Sequence, residues 1–231
     1  MPRTSTTDRV HALLREEIVS GKLTSGSLHS IYTLATRYGV SRTPVRDAAL
    51  RLSDSGMVRI ERNRGVRIRG LGVHDIREVF ETRLLIEVPA ASYAAAHSTP
   101  TLIAELEARL ATLADATDDS DAAEFSRRDR DLHRTILAFT GNQRLVDLVE
   151  SLRDLTQSFG VSTIARSRSV QQVQAEHAPI VDAIRTGDAI GAARLMAEHL
   201  STTALMLMLQ VAASTGEAVP DDWPPPLASR R

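Results

Sequence analysis

The hydrophobic period changes within the first 70 residues, from the spacing of helices to the alternation of strands. Apolar residues follow helical spacing in three short segments, which are residues 6–21, 31–38 and 41–55. The stretches "MVRIE" and "GVRIR" then alternate apolar with charged residues on either side of "RNRG". Such a pair of stretches predicts a β-hairpin, with Gly65 supplying the unusual backbone angle. Three short helices and a hairpin indicate a winged helix-turn-helix over residues 1–70.

The rest of the chain is helical in pattern. After the linker "GLG", helical spacing continues with short breaks over 71–213, which predicts an antiparallel all-α helical bundle. Aromatic residues make up only 3% of the chain, so its cores must be mainly aliphatic. The tail 214–231 has no periodicity and contains three consecutive prolines, which predicts disorder. The fold class expected is therefore mainly α. The predicted helices of the bundle are residues 73–97, 99–116, 120–140, 142–160, 169–186 and 188–212.

Charge is distributed unequally between the two parts. Residues 1–70 contain 13 Lys and Arg against 6 Asp and Glu, whereas the remainder is acidic and brings the net charge to -1. A basic first part is typical of a domain that meets a polyanion. The chain has no cysteine, no apolar run of the length that spans a bilayer and no signal-peptide core, so we expect a cytoplasmic protein.

Two arginines mark the start of the third helix, in "SRTPVRDAALRL". Its buried stripe is predicted to be Val45, Ala48, Ala49 and Leu52. Arg42 and Arg46 lie four residues apart on another face and project from the helix N-terminus. In a helix-turn-helix this end enters the major groove, where arginine bridges O6 and N7 of guanine.

Further polar groups surround these arginines. The hydroxyls of Ser41 and Thr43 suit phosphate contacts at a helix N-terminus, and Arg62 and Arg64 form a basic hairpin tip beside Gly65. A single arginine is more often only a solvated surface residue. Together with the preceding turn, the hairpin and the local positive charge, the set predicts binding to double-stranded DNA.

The stretch "LATRYGVSRTPVRDAALRLSDSGMVRIERNRGVRI" closely resembles the N-terminal domain of the GntR family of bacterial transcription regulators. The resemblance covers about residues 8–69, and it implies that Arg42 and Arg46 contact DNA, with Ser41 and Thr43 beside them and Gly65 at the wing tip. One departure is that Ile31 and Tyr32 stand where many members carry a Glu-Arg pair. The resemblance thus implies DNA binding but leaves the operator sequence open.

Four metal-ligating side chains fall on predicted inward faces of the acidic part. Asp129 and His133 are four residues apart on or beside one apolar stripe, and His177 and His199 lie among apolar residues of two later helices. One Asp and three His could surround a divalent ion and leave one or two positions open. Each histidine alone is more often a satisfied core residue, so the pattern leaves both interpretations open.

The segments "DRDLHRTILAFTGNQRL" and "EHAPIVDAIRTGDAIGAARLMAEHL" resemble the all-helical effector domain, of the FCD type, found in the FadR subgroup of the GntR family. Its metal-binding branch uses an Asp, a His four residues later, and two further His on the last two helices. The resemblance implies that Asp129, His133, His177 and His199 bind one divalent transition metal per chain, zinc or nickel. It also implies that a small carboxylate completes the coordination.

Arg83 lies four residues before Glu87 in "ETRLLIE". One interpretation is an i, i+4 ion pair on a solvated face, which contributes a few tenths of a kcal/mol. The other, which the family pattern favours, is an arginine in the effector pocket that grips a carboxylate with two parallel hydrogen bonds.

The sequence therefore predicts a DNA-binding transcription regulator and no enzyme. We expect a homodimeric repressor on an operator with two-fold symmetry, modulated by a small organic acid at the metal site. One alternative is a regulator for which the ion itself is the signal. Another is a metal-dependent hydrolase fused to a DNA-binding domain, although Glu176 and Glu198 point about 100° away from the ligands they adjoin, which is poor placement for a base.

Overall fold

The computed structural model describes residues 5–114, 122–163 and 167–225. The chain forms two compact units, one of residues 1–71 with 153–161 and one of residues 72–152 with 162–231. The sequence placed the boundary at residue 70 and left 153–161 with the helical part. Phe159 explains the difference, because its side chain packs against the apolar core of the first unit.

Three helices build most of the first unit. They are α1 (Thr6–Val19), α2 (Ile31–Tyr38) and α3 (Arg42–Asp54). Ser5 begins α1 with a capping box in which Asp8 takes part, and the Ser30 hydroxyl accepts the Thr33 N–H at the start of α2. Gly39, at φ 64°, ends α2 in the left-handed conformation that glycine adopts most readily.

The wing is a three-stranded antiparallel sheet in the order β1 (Leu28–His29), β3 (Gly65–Ile68), β2 (Val58–Glu61). The predicted hairpin of β2 and β3 is confirmed, with Glu61 paired to Gly65. The additional strand β1 was not predicted because two residues are too few to show a period. It also explains the glycine: a Cβ at residue 65 would lie 2.2 Å from the carbonyl oxygen of His29.

One aliphatic core holds these elements together. It includes all four residues of the predicted α3 stripe, together with apolar residues of the other helices and the wing. Because α3 packs this stripe against its neighbours, its opposite face is turned outward. The buried residues are Val10, Leu14, Ile18, Leu23, Leu34, Ala35, Val45, Ala48, Ala49, Leu52, Met57, Val58, Val66 and Ile68.

The second unit is helical throughout the part that the structure describes, apart from turns and short connections. The mainly helical fold class, with a winged helix-turn-helix ahead of a helical bundle, is thus confirmed. The expected break at 115–121 lies outside the described residues. The helices are α4 (Val73–Ala96), α5 (Pro100–Ala114), α6 (Ala122–Ala138), α7 (Gln143–Ser158), α8 (Val170–Thr186) and α9 (Ala189–Thr215), of which the last residues of α7, 153–158, belong to the first unit.

Helices α4 and α9 pack against each other and against α8 at the centre of this unit. Among the described helices, α9 alone is long and apolar enough to cross a membrane. Its Met196, Leu200 and Met208 are fully buried, which is the pattern of a core helix in a helical bundle.

Residues 217–225 make specific contacts although disorder was expected over 214–231, and residues 226–231 lie outside the described residues. Glu217 accepts a hydrogen bond from the backbone N–H of Val73, and the Trp223 indole N–H donates to the carbonyl oxygen of Ser201. Asp222 forms an ion pair with Arg77. These contacts are made by single polar residues without periodicity, so the pattern could not indicate them.

Candidate nucleic-acid interface and candidate metal centre

The N-terminal end of α3 presents the predicted polar residues outward. Ser41, Arg42, Thr43 and Arg46 are all exposed, whereas Val45 between them is completely buried. The Ser41 side chain makes no capping hydrogen bond within the helix. Among the described residues, the Arg42 and Arg46 side chains have no hydrogen-bond or ion-pair partner. This end of α3 therefore offers two arginines, two hydroxyls and the first backbone N–H groups to an anionic ligand.

The hairpin tip carries the other predicted basic residues. Arg62, Asn63 and Arg64 are exposed, and Asn63 has φ 62°, a conformation that asparagine tolerates in tight turns. Arg64 pairs with Glu61 at 2.9 Å. This exposed ion pair is worth little in water, so Arg64 can exchange it for a phosphate at low cost.

The start of α2 presents a different chemistry. Tyr32 is 70% exposed there, as one of the most exposed large apolar side chains of the chain. It stands where the resemblance led one to expect an arginine, so this helix offers DNA a neutral aromatic ring with a hydroxyl.

Asp129, His133, His177 and His199 converge inside the second unit. The first two come from α6, the third from α8 and the fourth from α9, and one ligand atom of each lies within 4.8 Å of every other. Nε2 of His177 is 3.0 Å from a carboxylate oxygen of Asp129 and 3.3 Å from Nε2 of His133. The histidines are 0–6% exposed. The structure thus brings together all four residues that the sequence selected.

Each of the three histidines is oriented by a hydrogen bond at Nδ1, the ring nitrogen that does not face the cluster. Nδ1 of His133 lies 2.6 Å from Glu87, Nδ1 of His177 lies 2.8 Å from the Val173 carbonyl oxygen, and Nδ1 of His199 lies 2.8 Å from Glu176. Carbonyl and carboxylate oxygens only accept hydrogen bonds, so each Nδ1 carries the proton. In the neutral imidazole this leaves the Nε2 lone pair facing the centre of the cluster.

Burial keeps one of these rings neutral. Removal from water, followed by the neighbouring His177, lowers the pKa of His199 to about 3, against 6.5 for an ordinary histidine. Burial opposes ionisation of Glu176, but its hydrogen bonds with His199 and Arg168 outweigh that effect and lower its pKa. At neutral pH the pair is therefore a neutral imidazole that donates to a carboxylate.

A divalent transition metal fits this donor set. Three nitrogen lone pairs and a carboxylate oxygen at these distances repel one another unless a cation or a proton lies among them. Nitrogen ligands with one oxygen suit zinc or nickel better than magnesium or calcium, which prefer oxygen. A divalent ion with one carboxylate ligand keeps a net positive charge, which favours a further anionic ligand.

Arg83 lies next to the cluster but is not one of its ligands. Its Nε donates to Glu87 at 2.6 Å, and both side chains are buried. The i, i+4 ion pair between Arg83 and Glu87 is therefore present, but it is buried and does not lie on a solvated face. Since the other oxygen of Glu87 meets His133, a change at Arg83 would alter the orientation of a candidate metal ligand.

Three supporting residues were not identified from the sequence as parts of the cluster. Glu87 and Glu176 hold histidines from other helices, and Arg168 donates to Glu176 at 2.6 and 2.8 Å. A signal existed for Glu87, because a carboxylate in the apolar run "LLIEVPAA" needs a buried partner. Arg168 lies in a loop without periodicity and gave no such signal.

Each of the two units contains a segment that matches a known protein family. Residues 6–68 match the family described as bacterial regulatory proteins, gntR family, and residues 78–202 match the FCD domain. A gluconate operon transcriptional repressor of Bacillus licheniformis is 28% identical over 193 residues, which are 81% of this chain and 79% of the relative. The repressor RspR of Escherichia coli K12 is 24% identical over 199 residues, 86% of this chain and 87% of the relative.

Solved structures show the same fold. The regulator Lar of Listeria monocytogenes has a TM-score of 0.75 at 19% identity, over 90% of this chain and 98% of its own. Escherichia coli McbR/YncC has a TM-score of 0.61 at 22% identity, over 90% of this chain and 99% of its own. The family and these relatives are transcription regulators and not enzymes. The chain belongs to the GntR family of bacterial transcription regulators, with an N-terminal GntR DNA-binding domain and a C-terminal FCD domain.

Proposed function

We propose that the chain is a cytoplasmic, homodimeric repressor whose operator affinity is set by a small carboxylate bound at a metal centre in the helical unit. Two copies of α3 would read the half-sites of an operator with two-fold symmetry. The relatives named as repressors support the direction of regulation. The exposed Arg42 and Arg46 support the reading of base edges, and Arg62 and Arg64 support contact with the flanking backbone or minor groove.

One observation carries the metal centre. The Nδ1 atoms of three buried histidines are each held by an oxygen acceptor, so three Nε2 lone pairs and Asp129 face one another. In this proposal Asp129, His133, His177 and His199 hold one zinc or nickel ion per chain. The bound ion would supply an electrophilic centre that accepts an anionic oxygen ligand.

The effector would be a small organic acid. Its carboxylate would complete the coordination of the ion and would reach Arg83, whose guanidinium already holds the carboxylate of Glu87. Since relatives of this chain are named as repressors of a gluconate operon, a sugar acid such as gluconate is the first compound to test. The acid acts on DNA binding only if it binds the DNA-competent and DNA-incompetent states unequally.

Elemental analysis of the purified, tag-free protein tests the metal centre. We expect about one transition metal ion per chain, which is the stoichiometry of a single site. The variant His133→Ala/His177→Ala should lose the ion. The matched control His74→Ala/His97→Ala removes two exposed histidines of the same unit and should retain it. Equal metal content in the two double variants would contradict the site.

A second titration separates the carboxylate from the ion as the signal. Operator affinity is measured by fluorescence anisotropy with the metal-loaded protein, first alone and then with gluconate and other small acids. A change only on addition of an acid supports our proposal. A change on loading zinc alone, at free concentrations found in cells, would instead make the ion the signal.

A further inference from the structure

The segment after α9 connects two parts of the helical unit that are far apart in sequence. Residues 217–225, which we term the C-terminal strap, lie beyond the residues 78–202 that match the FCD domain. The strap contacts the first turn of α4 through Glu217, the next turn of α4 through Asp222, and α9 through Trp223.

At α4, the strap supplies hydrogen-bond acceptors that the helix itself cannot offer. Glu217 accepts the backbone N–H of Val73 at 2.7 Å, and Val73 is the first residue of α4. The first N–H groups of a helix have no partner within the helix, and a carboxylate there is also favoured by the helix dipole. One turn later, both oxygens of Asp222 accept hydrogen bonds from Arg77, at 2.7 and 2.9 Å. The strap thus fixes the point at which the chain enters α4.

At α9, the strap is anchored beside the histidine cluster. The Trp223 indole N–H donates to the carbonyl oxygen of Ser201 at 2.9 Å, and Pro225 is buried. Ser201 is two residues from His199 and two residues from Thr203. Thr203 accepts a hydrogen bond from Arg168, the same arginine that holds Glu176 against His199. One turn of α9 therefore carries a candidate metal ligand, part of its support and the anchor of the strap.

We propose that the C-terminal strap transmits the state of the histidine cluster to the first turn of α4. This inference rests on the proposed metal centre. If His199 held an ion, its displacement would shift the turn 199–203, and the strap would carry this displacement to Glu217 and Asp222. The first residue of α4, Val73, lies two residues after Leu71, which is the last residue of the N-terminal segment of the DNA-binding unit. The strap is therefore a regulatory element of the effector response.

Hydrogen exchange of the full-length protein tests this coupling. The variant Trp223→Phe keeps an aromatic side chain but removes the indole N–H, whose acceptor, the Ser201 carbonyl oxygen, lies on α9. We expect amides 73–77 to exchange about fivefold faster in this variant, the effect of one lost hydrogen bond. Adding zinc to the metal-stripped wild type should slow exchange at 73–77, and Trp223→Phe should abolish that response while its zinc content is unchanged.

A second pair of variants tests the strap independently, in case Trp223→Phe fails to fold. Asp222→Asn weakens the contact with Arg77 and should also speed exchange at 73–77, whereas Asp221→Asn changes the exposed neighbouring carboxylate and should have no effect. Unchanged exchange at 73–77 in both Trp223→Phe and Asp222→Asn would overturn the strap. Zinc that binds to the wild type without altering these amides would overturn the coupling. If zinc does not bind, the proposed metal centre fails, and the effect of Trp223→Phe on the metal-free protein alone decides whether the strap ties α9 to α4.

Discussion

Glu176 adjoins His177 in sequence, yet its carboxylate accepts a hydrogen bond from His199 on the next helix, at 2.8 Å. The helical turn of about 100° per residue points Glu176 away from the ligand atom of its neighbour. The same carboxylate is held by Arg168. Glu176 is therefore placed to orient a ligand from a different helix, and it is not placed as a base that activates water for hydrolysis.

Glu176→Gln should weaken metal binding without abolishing it. The amide oxygen still accepts a hydrogen bond, but it lacks the charge that makes His199 a better donor to a metal. Loss of such a supporting carboxylate typically reduces metal affinity about 10- to 100-fold. Competition with a chromophoric chelator measures this change. Glu198→Gln is the control, since Glu198 is exposed and pairs only with Arg194 among the described residues; an equal loss in both variants would refute the role of Glu176.

Arg46→Ala should weaken operator binding and leave the helical unit unchanged. Removing an arginine that reads a base costs about 1–3 kcal/mol and relaxes specificity at that base pair. Anisotropy titrations against operator DNA and its single-base variants measure both effects. Arg51→Ala, in the same helix, removes a side chain paired with Asp8 and should change affinity far less. Full operator affinity in Arg46→Ala, with normal metal content, would exclude α3 as the reading helix.

Gly65→Ala should destabilise the DNA-binding unit more than Gly39→Ala. Both glycines have positive φ, at 131° and 64°, but only at residue 65 does an added Cβ meet the His29 carbonyl oxygen. We expect a loss of roughly 2–4 kcal/mol in the free energy of unfolding for Gly65→Ala and about 1 kcal/mol for Gly39→Ala. Urea unfolding of the two variants gives the comparison. Equal losses would mean that β1 does not approach β3 as closely as described.

The stability of the metal-free protein should fall as the pH drops below about 6.5. The pKa of His199 is about 3 in the folded chain and 6.5 in an ordinary environment, so the unfolded chain binds the proton first. Stability from this group is complete above 6.5 and is lost as the pH falls toward 3, by at most about 1.4 kcal/mol per pH unit. Urea unfolding of metal-stripped protein at pH 7 and pH 5 measures the slope. His199→Gln should show a smaller slope; an unchanged one would assign the effect to other groups.

The periodic parts of the molecule were predictable from sequence, and the isolated contacts were not. The stripe of Val45, Ala48, Ala49 and Leu52 repeats with the helical period, so one amphipathic face fixed which side of α3 carries its arginines. The histidine cluster could be predicted for the same reason, because the helical period places His133 and His177 on the inward faces of their helices. The partners of Glu87, Glu176 and Trp223 come from other elements and depend on how the helices pack. No local spacing encodes them.

The most direct test of the central claim is operator affinity of the metal-loaded protein, measured with and without a bound carboxylate such as gluconate. We expect the acid to change affinity about 5- to 150-fold, the usual range of allosteric coupling. The variant His133→Ala/His177→Ala should bind the operator but show no response to the acid, because it lacks the ion. Operator binding that responds equally in the wild type and in this variant would contradict a metal-centred effector site.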